Sequence, residues 1–404
     1  MNSKAIFFSG LLAAAMCVAC SDDNVDGAAG AKSISGTIVE VNGYGQPIPS
    51  FTPKQMAEAG FDYADLVNVT IGDSIRLTNL PYVTSFNEVA ILGPSYVDYN
   101  ARGDDYGFAM LNGDFHYYIG GEVGDTVTMT LAEKGGYKET YELMKSVYQT
   151  ERSAGETAEE YANFRMVTTT GVKPGVLYRS SNPLNCDKNP GRYSVADSLA
   201  QSVGIATEID LADTDAKVEA YINGEGYASA YCPQLFRNGK TKCCGMNANT
   251  FCDDSRTKLA DAARFMIANK SPYLIHCNEG KDRCGFVSML LEALAGAGID
   301  ELRRDYMVTM LNFYKIEDGG ASYNLRQQLS IDRMIWLLCN EEALDDYKKI
   351  DWSTVGVSSY ASQSHSLQSA TLQAAARKYL KEGGLTDQEV DQLYTILTEG
   401  KLSD

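Results

Sequence analysis

Cys277 and Arg283 bracket five residues in the run Pro272-Tyr273-Leu274-Ile275-His276-Cys277-Asn278-Glu279-Gly280-Lys281-Asp282-Arg283-Cys284-Gly285. A loop of that spacing, closed on a tetrahedral phosphate, can set sulfur below phosphorus and lay a guanidinium across the oxygens. A thiolate is the right nucleophile for such a site, because the charges that hold the substrate also stabilise the sulfur anion. Asp282 extends the chemistry. Its carboxylic acid could protonate the leaving oxygen, and its carboxylate could then activate the water that hydrolyses a phosphocysteine. Two-step phosphomonoester hydrolysis is the reaction these residues imply.

The elements that must position them can be read on either side. The apolar stretch before Cys277 is a short strand, and Gly280 punctuates the loop that follows. Phe286, Val287, Leu290, Leu291 and Leu294 then repeat with the period of a buried helix. Strand, loop and helix N-terminus together form an anion cradle, since backbone N–H groups without helical partners face into the loop. No metal cluster suggests itself: the chain has three histidines, His116, His276 and His365. His276 reads as a hydrogen-bonded loop residue. No cofactor is called for, because thiolate, Arg283 and loop amides supply both nucleophile and charge stabilisation.

The loop resembles that of the tyrosine phosphatase-like family of secreted bacterial cysteine-dependent phosphatases, which reads His-Cys-x-x-Gly-Lys-Asp-Arg-Thr-Gly; nine of these ten positions fit here. Asn163-Phe164-Arg165 and Leu177-Tyr178-Arg179-Ser180 resemble the family's opening segments, and Asp305-Tyr306-Met307-Val308-Thr309 its closing helices. The resemblance implies an α/β cysteine-dependent phosphatase fold, a central, mostly parallel sheet flanked by helices. It implies Cys277, Asp282 and Arg283 as catalytic residues, and His276, Asn278, Glu279, Gly280, Lys281, Cys284 and Gly285 as the substrate-binding shell.

The chain departs from the family at three places. Met166 stands where the family has Asp, and Ala212 follows Asp210-Leu211 where the family has Arg. Cys284 replaces the Thr after the loop arginine, either as a small substitute or as a disulfide partner for Cys277. Asp213 and Asp215, on the loop after the Gly204–Leu211 strand, are alternative general acids. The resemblance makes phosphotyrosine in a protein the default substrate. The Lys281-Asp282 pair is similar to that of members accepting phosphoserine or phosphoinositides, which leaves dual specificity open. Two rivals stand beside this reading: a catalytically weak phosphate-binding module, and a cysteine enzyme of sulfur or arsenate chemistry.

The rest of the chain is organised around that domain. Residues 1–19 read as an export signal ending in Cys17-Val18-Ala19-Cys20, which resembles a bacterial lipoprotein cleavage site, with Cys20 lipidated and 20–32 a flexible tether. The acidic run after Cys20 resembles surface-export signals, so the expectation is a lipid-anchored protein of the periplasm or outer-membrane surface. Residues 33–136 alternate as strands and form a small β-barrel or sandwich; Gly72-Asp73-Ser74-Ile75 is echoed by Gly124-Asp125-Thr126-Val127. A helical linker over 137–162, with a hinge near Gly155, precedes the phosphatase-like domain at 163–404. A formal charge of −18 speaks against nucleic acid as a partner and requires the attraction for phosphate to be local.

Overall fold

In the computed structural model, residues 32–43, 45–83, 95–98, 107–110, 115–144, 151–247, 249–340 and 367–401 are described. The proposed signal, Cys20 and the proposed tether as far as residue 31 lie outside them, as does His365.

Seven strands make the first sheet: β1 (Ser33–Val41), β2 (Pro47–Pro49), β3 (Leu66–Ile71), β4 (Ile75–Val83), β5 (Ser95–Asp98), β6 (Gly107–Met110) and β7 (Thr126–Glu133). Their order is β2-β1-β7-β3-β4-β5-β6. Every pairing is antiparallel except β4 with β5. Val127 and Met129 of β7 are fully buried, whereas Thr126 is exposed, as period-two alternation requires. The two echoed segments occupy equivalent places, as left-handed glycines at Gly72 and Gly124 turn the chain into β4 and β7. A backbone bond from His116 to the Gly45 carbonyl ties the segment after β6 to the turn before β2, drawing the ends of the sheet together.

The second sheet is built from β8 (Arg165–Met166), β9 (Leu177–Ser181), β10 (Thr207–Asp210), β11 (Thr241–Cys243) and β12 (Tyr273–Cys277), in the order β11-β10-β12-β9-β8. The four strands β9 to β12 run parallel and β8 is an antiparallel edge. The crossovers are helical, including Arg192–Val203 between β9 and β10 and Asp253–Ala268 before β12. These connections cover the sheet on both faces, which explains why all five residues of β12 are buried.

β12 divides two cores. Tyr273, Ile275 and Cys277 pack into the larger apolar cluster with Phe286, Leu290 and Leu294 of the helix Asp282–Ala295. Leu274 faces the other cluster, with Ala196 and Ala200 of the helix Arg192–Val203. Cys284 through Ala295 are all buried, so the loop helix is a core element and not an amphipathic one. At about 1.5–3 kcal/mol for each large apolar side chain it buries, that packing anchors the helix N-terminus to which the loop is attached.

The final helix, Asp387–Glu399, starts at Thr386 with a capping box closed by Glu389, as Thr-x-x-Glu predicts. In the linker read as helical over 137–162, the described helices are Lys138–Met144 and Ala158–Tyr161. Thr157 and Glu160 form the capping box of the second, which excludes Glu156 from the helix. Glu156 is instead buried and paired with Lys315 at 2.6 Å.

Candidate active site

The carboxyl ends of β9, β10, β11 and β12 open onto one edge of the sheet, the place where open α/β folds carry their sites. Cys277 is the last residue of β12 and is 3% exposed, so its sulfur lies at the floor of the loop and not on the surface.

The loop is held from behind by its carbonyls. The Asn278 carbonyl accepts from the Asn182 backbone N–H at 3.1 Å and from Asn189 Nδ2 at 2.5 Å. The Glu279 carbonyl accepts from Asn163 Nδ2 at 3.0 Å, and the Gly280 carbonyl from Arg179 Nη2 at 2.8 Å. In a planar trans peptide N–H points opposite to C=O. Pinning three successive carbonyls backwards therefore aims the N–H groups of Glu279, Gly280 and Lys281 forwards. No acceptor among the described residues takes a hydrogen bond from the backbone N–H groups of Glu279 through Arg283. Five donors gathered at a helix N-terminus above a cysteine sulfur are suited to an oxyanion.

Two glycines make the approach possible. Gly280 has φ +70°, and a Cβ there would stand 2.3 Å from the Ser180 carbonyl oxygen. A Cβ on Gly285 would stand 2.4 Å from the Tyr306 ring. Glycine at both positions lets the loop lie directly on β9 and on the following helix, Ile299–Tyr314.

Behind these contacts is a largely buried ionic bracket. Asp305 takes Arg165 Nε at 2.9 Å and also pairs with Arg179 Nη1. Burial disfavours the Asp305 carboxylate, but Arg165 and Arg179 outweigh it and hold its pKa far below the usual range. Asn163 completes the bracket, with Oδ1 accepting from Arg165 and Asn312 at 2.8 and 3.0 Å. Glu292 lies in the same interior; burial, with Asp305 adding to it, pushes its carboxyl well above the ordinary range. Met166, where the family carries Asp, receives the Gly175 N–H on its sulfur at 3.0 Å and plays no part in the bracket.

Several expected site residues lie elsewhere than the sequence suggested. His276, expected in the substrate-binding shell, belongs to β12 and is fully buried. Its Nε2 is 3.0 Å from Glu208 Oε1 and its Nδ1 3.9 Å from Asp210 Oδ1. Consecutive strand residues face opposite ways, so the neighbour of an inward Cys277 points at β10. Burial works against the imidazolium, but Asp210, Glu208 and Asp213 outweigh it and raise the His276 pKa. Cys284 is also fully buried beneath the loop, its thiol donating to the Ile275 carbonyl at 3.4 Å. Burial pushes that thiol up to about 11. Cys277 and Cys284 are both free thiols.

Lys281 does not extend into the cradle. Its Nζ meets Tyr314 OH at 2.9 Å, Glu279 Oε2 at 3.1 Å and Asp282 Oδ2 at 3.7 Å. Asp282 and Arg283, the first two residues of the loop helix, are partly exposed, and Arg283 Nη1 donates to the Met246 carbonyl at 3.0 Å. Asp213 is buried, with Oδ2 held by Asn182 at 2.9 Å and Asn185 at 3.4 Å; burial and Asp210 raise its pKa. It thus braces the β9 loop, while Asp215 opens the helix Asp215–Ile222 and is exposed. Asn182 and Asn189 were missed by the sequence reading, and Arg179 and Asp305 were noted only as family resemblance. The one available signal was Asp305 and Thr309 one helical turn apart, since both meet Arg165.

A cysteine at the end of a parallel strand, under an amide-lined loop that closes with arginine, defines a cysteine-dependent phosphatase site. The profile of the tyrosine phosphatase family matches residues 157–399, and the chain belongs to that family. It is a phosphatase, a hydrolase of phosphoric esters. No curated protein matches the chain. Among solved structures, it is similar to the core catalytic domain of the PP-IP phosphatase SIW14 from S. cerevisiae in complex with citrate. That similarity has 18% identity and a TM-score of 0.24 and covers 45% of this chain and 97% of that one, too slight to bear on substrate.

Proposed function

We propose that the chain hydrolyses phosphomonoesters through a phosphocysteine, with phosphotyrosine in proteins as the principal substrate. The observation that carries this reading is the row of forward-facing loop amides above the Cys277 sulfur. A phosphate seated on those amides receives an in-line attack from Cys277, while Arg283 swings from Met246 to lie across the equatorial oxygens. Asp282 gives its proton to the leaving phenolate and then takes one from the water that cleaves the S–P bond. Phosphate leaves and the thiolate is restored.

Asp213 is the less suitable acid of the two, because its carboxylate is already occupied by two asparagines, whereas Asp282 is part-exposed on the loop itself. We further propose that the chain is exported and anchored through a lipidated Cys20, with the β-rich region 33–136 an accessory domain ahead of the phosphatase domain.

Hydrolysis of 4-nitrophenyl phosphate tests the chemistry. Cys277→Ser should lose more than about a thousandfold in kcat. Asp282→Asn should lose about a hundred- to ten-thousandfold. Turnover should survive EDTA. Full activity in Cys277→Ser would sink the mechanism.

A further inference from the structure

The loop rim carries an arrangement of charge that bears on which phosphates the site accepts, an inference that rests on the phosphatase reading above and narrows its substrate class. Lys281 lies beneath the rim: its side chain is 9% exposed, against 21% for Glu279 and 34% for Asp282. What approaching substrate meets first at this position is therefore two carboxylates, with the ammonium beneath them. The ammonium is also occupied. Tyr314 OH accepts a hydrogen bond from it, and Glu279 Oε2 sits at 3.1 Å in an ion contact without hydrogen-bond alignment. Burial works against the Lys281 charge, but Asp282, Glu279 and Tyr314 more than compensate and hold its pKa well above the usual lysine range.

We propose that Glu279 is a specificity-determining residue: by capturing Lys281 it leaves the loop with cationic capacity for one phosphate and repels substrates that bring a second phosphate to the rim. The substrate class is then singly phosphorylated groups, such as an aryl monophosphate on a polypeptide, and not polyphosphorylated headgroups. The loop amides and Arg283 suffice for one tetrahedral dianion. A neighbouring phosphate would have to sit against the Glu279 carboxylate, where like-charge contact opposes binding.

The test measures binding to the full chain carrying Cys277→Ser, so that nothing turns over. The probes are inorganic phosphate and inositol hexakisphosphate, titrated calorimetrically at fixed ionic strength. The quantity read is the ratio of the two affinities. Glu279→Gln should shift that ratio toward the polyphosphate by on the order of tenfold. Glu279→Asp, which keeps the charge, should leave it near the parent's, as should Tyr314→Phe, which removes a hydroxyl and no formal charge.

An unchanged ratio in Glu279→Gln, with phosphate still bound, would overturn the proposal and leave the phosphatase reading intact. Absence of binding by both probes, in the parent and in Glu279→Gln alike, would overturn it as well. Hydrolysis of 4-nitrophenyl phosphate by the chain with Cys277 present then separates the two claims, because loss of that activity also would remove the phosphatase reading itself.

Discussion

The two sides of the phosphate loop are built on opposite principles. In front, five backbone donors have no acceptor among the described residues and the flanking side chains are part-exposed. Behind, every carbonyl from Asn278 to Gly280 is held, and two of the holders, Arg179 directly and Asn163 through Arg165, are fixed in turn by the largely buried Asp305 carboxylate. The contrast shows how a protein can keep polar groups unsatisfied where a ligand is to bind. The cost of the open side is offset by over-determination on the closed side.

Breaking the closed side should have the largest effect. Asp305→Asn leaves the buried Arg179 and the part-buried Arg165 without their counter-charge, at about 3–5 kcal/mol of stability. Thermal unfolding at pH 7 checks this. The native pKa of Asp305 is depressed, so its stabilisation is full above the unfolded carboxylate value and is lost as pH falls through the native one. The gap between wild type and variant should therefore narrow below about pH 4.

Gly280→Ala attacks the same loop sterically. With φ +70° and the Ser180 oxygen at 2.3 Å from the new Cβ, the loop must move. The expected cost is about 1–3 kcal/mol in stability. In kcat it is roughly a hundredfold, since a displacement of about 1 Å misplaces the amides. A variant that kept kcat while losing stability would show that the loop tolerates such movement.

The pair His276 and Glu208 sharpens the comparison by its pH dependence. A raised histidine pKa means stabilisation that is complete below the unfolded value, about 6.5, and fades as pH rises through the folded value. Glu208→Gln should then cost about 1–3 kcal/mol at pH 6 and less at pH 9, read from melting curves. Equal losses at both would remove the charge from the account.

Smallest of all should be Cys284→Thr, which installs the family's residue in a buried slot facing the Ile275 carbonyl and Ser288. Stability should change by less than about 1.5 kcal/mol, and turnover should no longer depend on reductant if Cys284 was its source.

Legibility in the sequence followed the range of the interaction. Strand β12, its loop and its helix were readable because periodicity, Gly280 and the Cys-to-Arg spacing are local. The bracket was not, since Arg165 and Asp305 lie 140 residues apart and meet only through the fold. Lys281 was misread for the same reason. Its charge beside a phosphate loop suggests a substrate contact, but Tyr314, 33 residues on, draws it inward. His276 was placed in the loop because the strand's end was unseen; one more strand residue reverses the face on which a side chain emerges. Asp213 was correctly located after a strand, yet nothing local revealed that Asn182 and Asn185 would occupy it.

The most direct test of the site is to trap its covalent intermediate. The chain should be mixed with 4-nitrophenyl phosphate, quenched in acid within a turnover and digested for mass spectrometry. The account predicts one phosphoryl group on the peptide carrying Cys277, at higher occupancy in Asp282→Asn if dephosphorylation is slowed more than phosphorylation. Efficient turnover with phosphate on no cysteine peptide, or on a peptide bearing only another cysteine, would contradict it.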